Sequence, residues 1–165
     1  MRFTLLDRIL ELEPGKRIRG VKNLTMAEEY LAEHFPGFPV LPGVLMLEAA
    51  TQAAAWLLRV TEGFKHSVIL LQEAKAIRYG HFVSPGKQLF MECEMVGENG
   101  RLATFKVKGE LEGNTSITGR IVLERFNLAE RHPLEAEKDA ELVAAHRRAF
   151  RTLAPPELRE KLAAA

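Results

Sequence analysis

A histidine and a glutamate fourteen residues apart (48 − 34 = 14) have the types and surroundings that acid/base chemistry needs. His34 stands in His34-Phe35-Pro36-Gly37-Phe38-Pro39-Val40-Leu41-Pro42-Gly43, where three prolines fix backbone angles and exclude regular structure, so its ring is carried on a stiff loop. Histidine changes charge near neutral pH, which suits a proton acceptor. Glu48 follows in Val44-Leu45-Met46-Leu47-Glu48-Ala49-Ala50-Thr51-Gln52-Ala53, a stretch with little else polar. Burying an unpaired carboxylate is costly, so Glu48 needs a partner, or a raised pKa and a retained proton. Gln52 lies one helical turn further on and is placed to orient the carboxyl group. A helix opening at Pro42-Gly43 presents N–H groups without intrahelical acceptors and the positive end of a dipole, both favourable to a developing negative charge. Residue types alone equally allow Glu48 to pair with an arginine and His34 to serve as a loop hydrogen bonder.

The elements that must position these groups follow from periodicity. Residues 3–12 read as extended, Pro14-Gly15 as a turn and residues 16–24 as a strand paired with the first. Thr25-Met26-Ala27-Glu28 has the form of a capping box, which predicts a short helix to about Ala32. From Gly43 to about Val60 nearly every position is apolar or small, the pattern of a helix buried on all sides. Residues 67–79, 88–96, 101–111 and 116–126 read as strands; in the third, Ala103, Phe105 and Val107 share one face while Thr104, Lys106 and Lys108 share the other. Glu98-Asn99-Gly100 and Glu112-Gly113-Asn114 supply hairpin turns. The expected architecture is α+β, an antiparallel sheet wrapped around a long central helix in residues 1–126. Residues 127–165 are expected to form a helical extension, acidic at its start and basic at Arg147, Arg148 and Arg151, packed on its own domain or on a neighbouring subunit.

Composition narrows the partners. With 23 basic and 22 acidic residues the formal charge is +1, without the surplus that phosphate neutralisation requires, so nucleic acid is not an expected partner. The single cysteine, Cys93, alternates with Met91 and Met95 on an apolar face and reads as a core thiol. An N-terminus charged at Arg2, Asp7 and Arg8 lacks a signal-peptide core, and residues 40–58 are broken up by Pro42, Gly43, Glu48, Thr51 and Gln52. A reducing, cytoplasmic setting without membrane insertion is expected. No metal site is expected around His66, His132 or His146.

The span from His34 to Gln52 resembles the signature of the hotdog-fold 3-hydroxyacyl-acyl-carrier-protein dehydratases of type II fatty-acid synthesis, the FabZ-like family. That signature is a His-Phe-Pro-Gly-x-Pro-x-x-Pro-Gly-Val motif followed by Glu-Ala-x-x-Gln, and every fixed position is present. Weaker similarity runs through residues 5–16 and through Glu73-Ala74-Lys75, Arg78-Tyr79 and Ser84-Pro85-Gly86-Lys87-Gln88-Leu89, covering residues 3 to about 126. The resemblance implies a hotdog fold and a lyase that needs no cofactor. In it His34 takes the α-proton, Glu48 protonates the departing β-hydroxyl and the Gly43 N–H binds the thioester oxygen, with Gln52, Phe35 and Val44 beside the substrate. It further implies an acyl-carrier-protein substrate and a homodimer, with a trimer of dimers as a higher assembly. The histidine and carboxylate of one site come from different subunits, and Phe35, Phe38, Leu45 and Met46 are candidates to line an acyl tunnel. Glu33 stands where the family has glycine and Phe82 where it has proline. Lys75, Arg78 and Lys87 suit either an acidic carrier or a solvated surface. Two alternatives stay open: a hotdog thioesterase in which the helix carboxylate activates water, and a non-catalytic acyl-binding protein.

Overall fold

The structure is a computed structural model that describes residues 4–35 and 37–164. Six strands form one sheet: β1 (Arg8–Glu13), β2 (Arg17–Asn23), β3 (Val68–Tyr79), β4 (Gln88–Asn99), β5 (Leu102–Leu111) and β6 (Asn114–Phe126). Their order across the sheet is β1-β2-β4-β5-β6-β3, and every neighbouring pair is antiparallel. The long helix α1 (Gly43–Thr61) lies against β2, β3, β4, β5 and β6. This is the helix wrapped by an antiparallel sheet that the alternating strands demand, the hotdog arrangement.

Alternation decides which side of the sheet faces the helix. Ala103, Phe105 and Val107 of β5 and Leu89, Met91 and Cys93 of β4 are buried and belong to the same core as Ala50, Ala53, Ala54, Leu57 and Leu58 of α1. Lys106 and Lys108, one residue out of phase, are exposed. The Glu112-Gly113 turn between β5 and β6 has φ of 51° and 81° at its two residues, the left-handed pair that a tight two-residue hairpin requires.

Two local expectations are corrected. The first strand starts at Arg8, and residues 4–7 precede it without strand pairing, while Phe3 lies outside the described residues. Leu5 and Leu6 still bury their side chains, but the Leu5 N–H donates to the Gln52 side chain at 2.9 Å. The capping box at Thr25–Glu28 does not form: Glu28 accepts from Nζ of the buried Lys22 at 2.5 Å, and the next element is a 3₁₀ turn, Glu29–Ala32, without a side-chain cap.

After β6, two 3₁₀ turns lead into α2 (Ala136–Leu153) and α3 (Pro156–Ala163). Asp139 ties α2 to the body of the fold, accepting from the Leu128 N–H at 2.7 Å, the Ala129 N–H at 2.9 Å and the Ser67 hydroxyl. Phe150 packs on Trp56 and Phe64, with ring centroids 6.0 and 5.8 Å away. Leu153, Ala154 and Leu158 join the main core, so these helices pack on their own chain.

Candidate active site

The helix that sequence alone makes buried on all sides is open along one stripe. Val44 is exposed, and Glu48, Gln52 and Arg59 are only partly covered. Their spacings of four, four and seven place them on one face, because seven residues are close to two turns. The other faces carry the fully buried Ala49, Ala50, Ala53, Ala54, Leu57 and Leu58. Polar residues therefore sit where the sheet does not reach.

At the start of α1, Pro42 offers its carbonyl to the N–H groups of Leu45 at 2.9 Å and Met46 at 3.1 Å. The N–H groups of Gly43 and Val44, in the first turn, have no intrahelical acceptor. The Tyr79 ring closes over this turn: a Cβ at Gly43 would lie 3.0 Å from Tyr79 Cε1, so a larger residue there would push the ring aside by a few tenths of an ångström.

One turn along, Gln52 donates from Nε2 to Glu48 Oε1 at 2.8 Å while its own Oε1 accepts the Leu5 N–H. Gln52 is thus pinned from one side and fixes Glu48 on the other. Glu48 opens onto a cavity of about 510 Å³, whose walls include Gln52, Trp56 and Arg59 of α1, Ile69 of β3 and His146 of α2. The carboxylate has its partner, and that partner is the residue sequence spacing indicated.

His34 does not line that cavity. Its N–H donates to the Tyr30 carbonyl at 3.2 Å and its ring sits 4.5 Å from that of Phe35. Phe35 has φ of 52°, a left-handed conformation that is strained for an aromatic residue and persists only where the surroundings hold it. The Phe38 N–H, donating to the Phe35 carbonyl at 2.7 Å, closes that turn, and the Phe38 ring meets Phe82 edge-on at 5.8 Å. Phe35 and Phe38 are each 58% exposed. Within one chain the fold places Val44, Glu48 and Gln52 on one helix face, with Gly43 at the start of the same helix, while His34 is not among the residues lining the Glu48 cavity.

Sequence reasoning missed two residues of this cavity. Arg59 lies 59 − 48 = 11 residues beyond Glu48, about three turns, and so on the same face. Its guanidinium sits 5.1 Å from the Trp56 ring centre; Nε is shut off from water with no hydrogen-bond partner, and no carboxylate among the described residues pairs with the side chain. Burial pulls its pKa down to about 10, which leaves it charged at neutral pH. Opposite, His146 meets Trp56 edge-on at 6.3 Å, and its Nδ1 is also buried without a partner. Burial, and after it the charge of Arg59, depress the His146 pKa to about 4.

That depression has a sign. Above the ordinary pKa of 6.5 the ring is neutral folded and unfolded alike, whereas between 6.5 and about 4 only the unfolded chain takes up the proton. Stability is therefore lost as pH falls through this window. The melting temperature of wild type should drop more between pH 7 and pH 4.5 than that of His146→Leu, with the carboxylates contributing equally to both; equal drops would remove His146 as the cause.

Cys93 is fully buried, its Sγ donates to the Ala50 carbonyl at 3.4 Å, and burial pushes its thiol pKa far up, so it is inert core. Among the described residues no three His, Cys, Asp or Glu side chains gather as a metal site would need, and no helix is long and apolar enough to cross a membrane.

A six-stranded antiparallel sheet around one helix, with a glutamate and glutamine paired on the helix face, defines a hotdog protein with an acidic group in a cavity. Residues 1–121 match the profile of the FabA-like domain, and the chain belongs to that family. It is 36% identical over 120 residues to the 3-hydroxyacyl-acyl-carrier-protein dehydratase FabZ of Caldicellulosiruptor saccharolyticus, covering 73% of this chain and 86% of that one. To the FabZ of Listeria monocytogenes it is 38% identical over 120 residues, covering 73% and 83%. Among solved structures it resembles the dehydratase heterocomplex ApeI:P from Xenorhabdus doucetiae, with a TM-score of 0.65 and 18% identity over 81% of this chain and 90% of that one. A second, smu.793 from Streptococcus mutans bound to acetyl CoA, gives a TM-score of 0.55 and 12% identity over 73% and 88%. At these identities the structural matches speak to the fold.

Proposed function

We propose that this chain dehydrates a 3-hydroxyacyl thioester, carried on acyl carrier protein, to the trans-2-enoyl thioester in fatty-acid synthesis. The observation that carries the reading is Glu48 held by Gln52 at the mouth of a cavity, on the helix whose first turn offers free N–H groups. His34 accepts the α-proton; the electron pair of that C–H bond becomes the new carbon–carbon double bond as the bond from Cβ to oxygen breaks. Glu48 gives its proton to the leaving hydroxyl, which departs as water. The Gly43 N–H, with the helix dipole behind it, stabilises the charge that builds on the thioester oxygen. Gln52 orients Glu48, and Phe35 and Val44 flank the thioester. The elimination of water is redox-neutral, and its base, acid and oxyanion donor all come from the chain, so the reading assigns no metal or organic cofactor.

The working unit is a homodimer in which His34 of one subunit meets Glu48 of the other. Three features support this: His34 is not among the residues lining the Glu48 cavity of its own chain, exposed Phe35, Phe38, Val44, Tyr79 and Phe82 surround the loop and helix start, and β3 pairs with β6 alone among the described strands. An unpaired strand edge carrying the exposed Leu70 and Leu71 invites a second strand. Residues 1–126 are the dehydratase domain, 127–165 an extension of it, and the setting is the reducing cytoplasm.

The discriminating experiment incubates the protein with a 3-hydroxyacyl thioester and follows enoyl absorbance and free thiol together. Enoyl product without thiol is the expected result. Thiol release alone would instead make Glu48 the water-activating group of a thioesterase, and neither product would leave an acyl-binding protein.

A further inference from the structure

The cavity beside Glu48 is longer than the proton chemistry needs, and its far end is cationic. Eleven residues of helix separate Glu48 from Arg59, roughly 16 Å along the axis at 1.5 Å per residue. Between them the wall is largely apolar, formed by Ala55, Trp56, Ile69 and Leu153, as an alkyl chain would require. At the far end Arg59, His146 and Thr152 line the same space. The first two are unsatisfied: Arg59 Nε and His146 Nδ1 are both buried without partners. A partly desolvated charge without a counterion is unfavourable, and a ligand of opposite charge would relieve it.

Resting on the dehydratase reading above, we infer that the substrate carries a carboxylate at the distal end of its acyl chain, and that Arg59 binds it. With the thioester at the Gly43 turn and the hydroxyl at Glu48, an acyl chain laid along the stripe of α1 brings its terminus to Arg59. The planar guanidinium, stacked near the Trp56 ring, matches a carboxylate in two parallel hydrogen bonds. His146 and Thr152 of α2 wall the space beside it. The distance along the helix keeps this anion away from Glu48, so the two acidic groups do not oppose each other. α2 thereby acquires a task, since its His146 and Thr152 close the end of the cavity over Arg59.

Two 3-hydroxyacyl thioesters of equal chain length, one ending in methyl and one in carboxylate, decide the matter by their kcat/KM ratio. Wild type is expected to favour the carboxylate-ended substrate by about tenfold or more, and Arg59→Met to lose that preference. Removing an unpaired partly buried charge should not impair folding, and wild type alone supplies an independent reading. A second measurement does not depend on turnover: free suberate should raise the melting temperature of wild type but not of Arg59→Met. If both thioesters are dehydrated with a ratio Arg59→Met leaves unchanged, or wild type favours methyl, the Arg59 site is overturned while the dehydratase stands. If neither is dehydrated but suberate still stabilises wild type alone, the dehydratase reading falls and the carboxylate site remains.

Discussion

Replacing His34 with Ala or Glu48 with Gln lowers turnover of a 3-hydroxyacyl thioester by about 100-fold or more, the usual loss when a positioned acid or base is removed. The two changes are chosen for different reasons. Glu48→Gln keeps the shape of the side chain and an oxygen that can accept from Gln52 Nε2, as Glu48 Oε1 does at 2.8 Å. It therefore removes the proton donor while leaving the clamp to Leu5 in place. His34→Ala removes a ring that lies tilted against neighbouring Phe35, and the Tyr30 carbonyl still receives the backbone N–H of residue 34. Circular dichroism and melting temperature should thus stay near wild type while kcat falls and KM changes little. A wild-type rate in either variant would strip that residue of its role.

How far the amino-acid sequence reveals this fold and site depends on how local the determining contact is. The strands are legible because alternation is local: Ala103, Phe105 and Val107 point to the helix because Thr104 and Lys106 cannot. Glu48 and Gln52 are legible because i and i+4 meet on any helix. The capping box fails for the opposite reason, since the carboxylate of Glu28 prefers the ammonium of Lys22, six residues back on β2 and buried. Arg59 escapes notice because a basic residue in the last turn of a helix ordinarily answers the macrodipole. Its distance of eleven residues from Glu48 is the available signal. No sequence spacing reveals that α2 folds back to set His146 against it.

Mixing the two inactive variants restores activity. If each site takes His34 from one subunit and Glu48 from the other, a heterodimer of His34→Ala and Glu48→Gln has one site with both groups removed and one with both intact. Random exchange makes half of all dimers mixed, so about a quarter of the sites regain wild-type composition. Neither variant alone has an intact site, and the expected change on mixing is therefore more than tenfold above either parent. A site built within one chain gives the opposite result, because every subunit in the mixture lacks one of its own two groups. The chains must exchange, so the variants are unfolded together and refolded, or co-expressed with different tags and purified through both. Activity that stays at the parental level in a doubly tagged dimer would place His34 and Glu48 of one subunit in one site and require the His34 loop to move toward its own α1. The fold argues against that movement: the Leu41 N–H is bonded to the Val83 carbonyl at 2.8 Å and Phe38 is packed on Phe82, so the chain after His34 is fastened on the side of β3 and β4.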